Sequence, residues 1–304
     1  MQHHSGCPFN LKDNSNYSRW REKKLSAYPA SAKKLMVSLS GMEKITDSEF
    51  ADLFARLKKT NMAFYSGPAP GTKETLRRIG GKFGLYRLDA NLGADGDGIT
   101  PLKVSEKEER SRYIPYTDRP IDWHTDGYYN TPGRRIRGMI LHCASAAAEG
   151  GENALMDPEI AYILLRDENP AFIEALCHPR AMTVPANESG GKKIREAQTG
   201  SVFSFDAADG SLHMRYTARV GNIEWRDDSP TRDAVAFLKA LLNGPSPYIF
   251  RHRLAPGEGL ICNNVLHNRK AFKDDGKNKR LLYRARYLDR VSGAVMIEEK
   301  ADNR

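Results

Sequence analysis

The chain has 304 residues, and its 47 lysines and arginines outnumber its 38 aspartates and glutamates to give a formal net charge of +9 at pH 7. Hydrophobic residues make up 40% and charged residues 28% of the chain, which excludes disordered, collagen-like and coiled-coil classes. No apolar run approaches the roughly 20 residues that span a bilayer, and residues 1–12 lack the apolar stretch of a signal peptide. We therefore expect a cytoplasmic protein without a membrane partner.

The basic excess raises the question of a nucleic-acid partner, because a clustered basic face binds the phosphate backbone. Here acidic residues separate the basic pairs, and no aromatic-interleaved RNA-binding motif is present, so the pattern favours a solvated surface. The four cysteines are widely spaced without a CxxC pair. This spacing argues against a zinc ribbon and a disulfide framework and predicts free, mostly buried thiols.

The first third of the chain predicts mixed helix and strand. Thr46 and Glu49 have the spacing of a capping box, and apolar residues follow at helical intervals, so a helix is expected over residues 47–59. The other elements predicted here are a strand over residues 62–65, a helix over 72–79 that is closed by Gly80 and Gly81, and a long loop over 92–119.

The rest of the chain has many short β-prone runs and fewer helices. Short strands with helices in the N-terminal part and the middle predict an α+β fold built around a β-sandwich or jelly roll. Helices are predicted over residues 158–165, 170–176 and 233–242, and strands over residues 138–143, 201–205, 212–216, 248–254, 260–262 and 280–288.

The sequence DWHTDGY, residues 122–128, contains the first candidate metal ligands. On an extended segment, residues i and i+2 point to the same face, so His124 and Asp126 can present an imidazole nitrogen and a carboxylate oxygen to one ion. A third histidine would complete the 2-His-1-carboxylate set of non-haem Fe(II) oxygenases, which leaves coordination positions free. His267, which follows a predicted strand, is the best candidate for that ligand.

Two arginines follow these candidates on the last predicted strand. Arg280 and Arg284 lie at i and i+4 on one face, and a guanidinium fork binds a carboxylate bidentately. A metal with open positions beside such an arginine is what a 2-oxo acid co-substrate requires. The alternative is a surface strand with solvated charges.

Taken together, these motifs resemble the TauD/TfdA (taurine dioxygenase) family of Fe(II)- and 2-oxoglutarate-dependent oxygenases. The resemblance runs from about residue 17 to residue 289. It rests on Trp123-His124-Thr125-Asp126, on EGGENAL at residues 149–155, on His267 placed 141 positions after Asp126, and on KRLLYR at residues 279–284.

The resemblance implies a double-stranded β-helix (jelly-roll) core with flanking helices. It implies a single catalytic domain over residues 1–304, of which we expect residues 1–16 to be a mobile N-terminal segment. It also implies Fe(II) as the cofactor, with 2-oxoglutarate and O2 as co-substrates and succinate and CO2 as products. The expected substrate is a small polar, anionic metabolite such as a sulfonate, a carboxylic acid or an amino acid, and hydroxylation is the expected reaction.

The resemblance also implies roles for individual residues. His124, Asp126 and His267 would bind iron, Arg280 would hold the distal carboxylate of 2-oxoglutarate, and Arg284 would lie near the substrate. Asn153 stands where the family often has a threonine that contacts 2-oxoglutarate, and its amide can still donate.

Several residues near these motifs have two interpretations. Tyr128 would line the substrate pocket or pack in a strand. The basic run RRIR at residues 134–137 would attract an anionic substrate or form a charged turn. Four histidines have no partner at ligand spacing and are left outside the site: His142, His178, His213 and His252.

Three other functions stay open at this point. A tailoring oxygenase that acts on a larger amino-acid-derived intermediate would suit the long loop after residue 92. A nucleic-acid-binding or RNA-modifying protein would suit the net charge of +9, and a non-catalytic iron or 2-oxoglutarate sensor would keep the same ligands. The sequence also leaves open whether the chain forms a homo-oligomer.

Overall fold

A computed structural model of the chain describes residues 7–90, 95–189, 191–206, 208–219, 221 and 223–294. The helices are α1 (Asn14–Leu25), α2 (Asp47–Thr60), α3 (Lys73–Lys82), α4 (Glu108–Ser111), α5 (Pro158–Glu168), α6 (Pro170–Cys177) and α7 (Ser229–Asn243). The strands are β1 (Met36–Ser38), β2 (Met62–Ser66), β3 (Ile99–Leu102), β4 (Ile121–His124), β5 (Gly138–Ser145), β6 (Glu149–Gly150), β7 (Asn153–Met156), β8 (Met182–Val184), β9 (Asn187–Ser189), β10 (Lys192–Arg195), β11 (Gln198–Gly200), β12 (Phe203–Phe205), β13 (Leu212–Met214), β14 (Glu224–Trp225), β15 (Phe250–His252), β16 (Glu258–Cys262), β17 (Leu266–Arg269), β18 (Phe272–Lys273) and β19 (Leu281–Tyr287).

Two sheets form the body of the fold. One has six strands in the order β1-β2-β16-β5-β19-β3, and the other has four strands in the order β15-β7-β17-β4. Neighbouring strands are antiparallel except for the parallel pair of β1 and β2. The predicted α+β fold with a jelly-roll core and flanking helices is confirmed, although the two sheets do not close into a barrel.

Successive strand residues point to opposite faces, so each sheet has an inner and an outer set of side chains. Between the sheets, Phe64 of β2 and Leu141 of β5 belong to one apolar cluster with Leu155 of β7. Helices α2 and α3 cover the outer face of the six-stranded sheet with residues such as Leu53 and Leu76. Helices α1, α5, α6 and α7 cover the outer face of the four-stranded sheet. Each fully buried leucine contributes about 1.5–3 kcal/mol relative to an exposed one.

Helix α2 begins where its sequence predicts. The Thr46 hydroxyl accepts a hydrogen bond from the backbone N–H of Glu49 at 3.2 Å, and the Glu49 carboxylate accepts one from the N–H of Thr46 at 2.7 Å. The helix ends at Asn61, which has a left-handed φ of 57°. The capping box therefore forms as expected.

The predicted end of the next helix is wrong. Gly80 and Gly81 lie inside α3, and it is Gly84, at a φ of 75°, that follows the helix with a left-handed conformation. Gly80 instead permits close packing, because a Cβ there would lie 2.6 Å from the hydroxyl oxygen of Tyr287. The glycine pair therefore reflects a contact with β19 and not a helix end.

The long loop predicted over residues 92–119 is wrong in part. Strand β3 lies within it and pairs with β19 at the edge of the six-stranded sheet, and α4 and a helical turn at Ile114–Tyr116 follow. Strand β3 has four residues and includes Pro101, which is tolerated at a sheet edge. Such a strand is too short to show periodicity. Residues 91–94 lie outside the described residues.

The predicted mobile segment, residues 1–16, divides into two parts. Residues 1–6 lie outside the described residues. Phe9 is 2% exposed, and its ring packs edge-on against Trp20 and Tyr162. The carbonyl groups of Pro8 and Asn10 accept hydrogen bonds from Arg166 of α5. The segment from residue 8 to residue 10 is therefore held against the core.

The remaining predictions agree with the fold in outline. The helices predicted over residues 158–165, 170–176 and 233–242 are α5, α6 and α7, each with longer bounds. Among the described helices, none combines the length and the apolar character that a bilayer span demands. The four cysteines are free thiols, and Cys143 and Cys262 are buried whereas Cys7 and Cys177 are half-buried.

Candidate metal centre and co-substrate pocket

The three predicted metal ligands lie together on the inner side of the four-stranded sheet. His124 of β4 and His267 of β17 are directly paired across neighbouring strands, and their ring centroids are 4.2 Å apart. Asp126 follows β4 by two residues, and one ligand atom from each of the three side chains lies within 4.8 Å of the others. His267 does not simply follow a strand, as the sequence predicts, but lies in a strand of its own.

Backbone carbonyls fix the tautomer of both histidines. Nδ1 of His124 lies 2.8 Å from the carbonyl oxygen of Asp122, and Nδ1 of His267 lies 2.9 Å from that of Val265. Because a carbonyl oxygen can only accept, each Nδ1 carries the proton and donates it. Each Nε2 therefore keeps its lone pair for a metal ion, which is the usual arrangement around a bound metal.

The charges of the cluster also suit a cation. Burial, together with the neighbouring His267, lowers the pKa of His124 to about 3, so its ring is neutral at pH 7. Burial alone would raise the pKa of Asp126, but Arg284 and Arg286 outweigh it and lower that pKa, so the carboxylate is ionised. Its Oδ2 is buried and has no hydrogen-bond partner among the described residues. An ionised, unpartnered carboxylate oxygen beside two neutral Nε2 atoms fits a divalent metal ion.

Asn264, which the sequence does not single out, holds the carboxylate ligand in place. Its Oδ1 accepts a hydrogen bond from the N–H of Asp126 at 2.8 Å, and its Nδ2 donates to the carbonyls of Asp126 and Ile136 at 2.9 and 2.7 Å. Asn264 is 3% exposed and has a left-handed φ of 51°, which asparagine tolerates better than most residues. The turn before β17 therefore connects the two ligand-bearing segments.

The predicted arginines are both buried, but they have different surroundings. Arg284 of β19 donates from Nη1 to Oδ1 of Asp126 at 3.1 Å, so its guanidinium engages the metal-ligand carboxylate directly. Arg280 precedes β19, is 4% exposed, and its Nη1 has no hydrogen-bond partner among the described residues. Burial lowers the pKa of Arg280 to about 10, so its guanidinium is still charged at pH 7.

A small pocket lies in front of Arg280. Its guanidinium stands over the ring of Phe272 at 4.9 Å, and the backbone of Gly151 and the side chain of Asn153 line the same cavity. The amide nitrogen of Asn153 donates to the carbonyl of Asn268 at 2.9 Å, so one of its two N–H groups is already used. A carboxylate that entered this pocket would meet a buried guanidinium that pairs with no carboxylate among the described residues.

Gly150 and Gly151 let the chain pass close to β18. Both have left-handed φ angles, and a Cβ on Gly150 would lie 2.2 Å from the carbonyl oxygen of Ala271. The N–H of Gly151 donates to that same carbonyl at 3.0 Å. The glycine pair of the predicted motif therefore shapes the backbone that borders the Arg280 cavity.

Tyr128 lies on the other side of the metal ligands. Its ring packs edge-on to that of His124 at 6.5 Å and to that of Tyr129 at 5.1 Å. The Tyr129 hydroxyl accepts a hydrogen bond from Arg286, whose other terminal nitrogen pairs with the buried carboxylate of Asp89. Tyr128 therefore borders the site, and the Asp89–Arg286 pair behind it is a contact between distant segments that the sequence does not predict.

Arg269 of β17 is a further residue that the sequence analysis missed. It is 4% exposed and donates to the carbonyl groups of Thr117 and Arg119. These bonds attach the segment before β4 to the strand that carries His267. The basic pair Arg269-Lys270 directly after His267 was visible in the sequence, but its partners are backbone carbonyls, which leave no sequence pattern.

The fold and the site together define a class of protein, the mononuclear non-haem iron oxygenases of jelly-roll fold. The family model described as "Taurine catabolism dioxygenase TauD, TfdA family" matches residues 23–286. The chain belongs to this family, whose dioxygenases depend on Fe(II) and 2-oxoglutarate, and it is accordingly a 2-oxoglutarate-dependent non-haem iron dioxygenase.

Individual relatives differ in what they act on. A uridine-5'-phosphate dioxygenase from an Amycolatopsis species is 33% identical over 214 residues, which is 64% of this chain and 76% of the relative. An asparagine oxygenase solved with Fe(II), 2S,3S-3-hydroxyasparagine and succinate has a TM-score of 0.57 at 15% identity and 81% coverage of both chains. A taurine dioxygenase from Burkholderia xenovorans has a TM-score of 0.56 at 17% identity and covers 85% of this chain and 87% of its own. The two solved structures show a shared fold.

Proposed function

We propose that this dioxygenase hydroxylates a small anionic metabolite with release of succinate and CO2. In this proposal, Nε2 of His124, Nε2 of His267 and the carboxylate of Asp126 hold Fe(II). Arg280 binds the distal carboxylate of 2-oxoglutarate, and Asn153 borders the same cavity. When bound, the iron supplies the activation of O2 and the oxidation of a substrate C–H bond.

The protein's own residues prepare the site for these ligands. Arg284 donates to the Asp126 carboxylate, and the Oδ1 of Asn264 accepts from the backbone N–H of Asp126. The carbonyls of Asp122 and Val265 orient the two imidazole rings. Phe272 supports the Arg280 guanidinium from one face. Each ligand group is therefore held by a second contact, which is the arrangement that raises metal affinity.

The excess of buried positive charge around the centre supports an anionic substrate. Four arginines there are less than 10% exposed, whereas two buried carboxylates, Asp89 and Asp126, accompany them. Fe(II) brings two positive charges and 2-oxoglutarate two negative ones, so two positive charges remain uncompensated. Burying unpaired charge is costly, and an anionic substrate would relieve this cost. The four arginines are Arg269, Arg280, Arg284 and Arg286.

Within the anionic metabolites, a phosphate monoester such as a nucleoside 5'-phosphate is the class we favour. The relative that acts on uridine 5'-phosphate is 33% identical to this chain, whereas the asparagine and taurine oxygenases are 15% and 17% identical. Sulfonates, carboxylic acids and amino acids are the comparison substrates.

We also propose that residues 1–304 form one catalytic domain, which the family match from residue 23 to residue 286 supports.

An anaerobic titration tests the cofactor assignment before any substrate is known. Metal-free protein is titrated with Fe(II) and then with 2-oxoglutarate, and the visible charge-transfer band of the chelated 2-oxo acid is recorded. The band is expected in the wild type and lost in His267→Ala. Iron binding without a band at saturating 2-oxoglutarate would contradict the proposal.

A substrate screen by succinate release then tests the substrate class. Uridine 5'-phosphate, taurine, L-asparagine and L-arginine are supplied to the iron-loaded enzyme with 2-oxoglutarate and O2. Succinate formation above the uncoupled background is expected with the phosphate monoester. Stimulation by taurine or an amino acid alone would keep the dioxygenase assignment and reject the phosphate monoester.

A further inference from the structure

A second cleft has the metal ligand Asp126 in its lining. His124 and Thr217 are directly opposite each other in an antiparallel bridge, so their side chains share one face. Leu212, Met214 and Tyr216 belong to the apolar cluster beneath the helices, so the alternating residues His213, Arg215 and Thr217 share the opposite face. His213 and Arg215 also line the cleft.

Asp126 is the one carboxylate residue among the described residues that line this cleft. The other lining side chains are neutral or basic, and several carry hydroxyl or amide groups. They include Arg135, His213, Arg215, Ser201, Ser204 and Gln198.

Arg215 lines the cleft, and none of its hydrogen-bond acceptors among the described residues is a carboxylate that would neutralise its charge. Its guanidinium donates to the carbonyls of Tyr128 at 2.7 Å, Met182 at 3.0 Å, Gly200 at 3.4 Å and Gln198 at 2.6 Å. These four acceptors are neutral, so they fix the guanidinium without cancelling its charge. Burial, together with nearby arginines, lowers the pKa of Arg215 to about 10, so it stays charged at pH 7.

Arg135 supplies a second positive charge with free donors. Its side chain is exposed, and among the described residues no carboxylate or hydrogen-bond acceptor engages its guanidinium. The neighbouring Arg137 differs, because Asp206 at 2.9 Å and Asp209 at 3.3 Å neutralise it. Arg135 is close enough to influence the ionisation of both His213 and Arg215.

His213 adds a neutral donor at the same place. Its ring lies in the cleft without a hydrogen-bond partner among the described residues, opposite Ser204 in the β12–β13 pair. Burial, together with the surrounding arginines, lowers the pKa of His213 to about 3, so the ring keeps one N–H and one acceptor nitrogen. The ring is half-buried, and an anion that accepts its N–H would give this donor a partner.

We propose that this cleft binds the phosphate group of the substrate, with Arg135 and His213 as the residues that contact it and Arg215 as a positioning residue. The inference rests on the proposed function, since it assigns a subsite to the anionic substrate of the same metal centre. A phosphate oxygen suits an arginine fork, a neutral imidazole N–H and serine hydroxyls as donors. A nucleotide and a sugar phosphate share this chemistry, so both serve as probes.

The test measures binding rather than turnover. Wild-type protein is loaded anaerobically with Fe(II) and 2-oxoglutarate, and uridine 5'-phosphate, ribose 5-phosphate and uridine are titrated by calorimetry while the visible band is monitored. The band must persist, because a phosphate compound that displaced 2-oxoglutarate would abolish it. We expect uridine 5'-phosphate to bind at least about tenfold more tightly than uridine, since only the phosphate accepts charge-assisted hydrogen bonds in this cleft.

Two variants and one control locate the effect. Arg135→Ala and His213→Gln are each expected to weaken uridine 5'-phosphate binding about tenfold and to leave uridine binding unchanged. Arg251→Ala is the matched control, because Arg251 is an exposed arginine of β15, at the other edge of the four-stranded sheet. If the two variants weaken ribose 5-phosphate binding by the same factor as uridine 5'-phosphate binding, the cleft contacts the phosphate alone. If uridine 5'-phosphate binds and ribose 5-phosphate does not, the base makes an additional contact.

The outcomes separate the two proposals. Equal affinity for uridine 5'-phosphate and uridine, no binding by any of the three probes, or an Arg135→Ala effect no larger than that of Arg251→Ala would overturn the phosphate subsite. If the visible band never forms, the proposed cofactor chemistry fails, whereas a phosphate preference that persists in that protein would still support the cleft.

Discussion

Arg280 and Arg284 lie four residues apart and are both buried, yet their partners differ. Arg284 engages the carboxylate of Asp126, whereas the Nη1 of Arg280 has no partner and faces a cavity. Among the described residues, the same residue type thus pairs with a carboxylate at one position and with none at the other. The comparison teaches that a buried guanidinium with neither a carboxylate nor a carbonyl acceptor, rather than a buried arginine as such, indicates a ligand site.

Removal of the carboxylate that Arg284 engages should have the largest effect. Asp126→Ala removes one of three metal ligands and leaves Arg284 buried without its partner. Mutation of groups that merely support metal ligands costs 10–100-fold in affinity, so loss of the ligand itself should weaken Fe(II) binding by more than about 100-fold and abolish coupled succinate release. Fe(II) affinity is measured by anaerobic titration.

Asp227→Ala is the control for this prediction, because Asp227 is 94% exposed and pairs with Arg232 on the surface. It should leave Fe(II) affinity unchanged. Wild-type iron affinity in Asp126→Ala would remove Asp126 from the metal.

Arg280, which pairs with no carboxylate among the described residues, should affect the affinity for 2-oxoglutarate and not the affinity for the metal. Arg280→Ala is expected to raise the 2-oxoglutarate concentration that half-saturates the visible band by about 10–100-fold, since charge-assisted hydrogen bonds contribute about 1.5–3 kcal/mol. Fe(II) affinity should change little. An unchanged 2-oxoglutarate requirement would assign the distal carboxylate to another group, and Arg251→Ala again serves as the control of equal charge.

Arg284, which pairs with Asp126, should affect the affinity for Fe(II) more than the 2-oxoglutarate requirement. Arg284→Gln removes the charge that stabilises the Asp126 carboxylate, so Fe(II) affinity is expected to fall by about tenfold, the lower end of the range for groups that orient metal ligands. The 2-oxoglutarate requirement, measured at saturating iron, should change less than in Arg280→Ala. A loss confined to substrate affinity would support the substrate role that the family resemblance implies for Arg284.

The last prediction concerns the stability of the fold and the turn that connects the ligand segments. Asn264→Ala removes three hydrogen bonds and places alanine at a left-handed φ, so the free energy of unfolding should fall by about 1–3 kcal/mol. Asn264→Gly removes the same bonds without the backbone strain and should lose less. Equal losses in the two variants, measured by denaturant unfolding, would mean that the backbone conformation costs nothing here.

Local patterns predicted much of the fold because they depend on neighbours in the chain. The capping box of Thr46 and Glu49 gave the start of α2, and apolar periodicity located α5, α6 and α7. Predictions from local patterns were wrong where the role of a residue depends on a contact with a segment distant in the chain. Gly80 packs against Tyr287, and β3 exists because it can pair with the edge of β19.

What the sequence by itself determined is the set of ligand types and the family to which the chain belongs. His124 and Asp126 share a face through the period-2 geometry of an extended chain, and the later motifs add His267 and Arg280. These relations need no knowledge of how distant segments meet, so one chain suffices to predict them.

Only the tertiary structure decided which of these groups has a partner. The Arg284–Asp126 contact, the Asn264 turn and the cleft around Arg135 and His213 each join segments that lie far apart in the chain. A guanidinium or an imidazole looks the same in a sequence whether it is neutralised or free. Packing and strand register set the distances that distinguish the two, because Coulomb and hydrogen-bond energies depend on separation and burial.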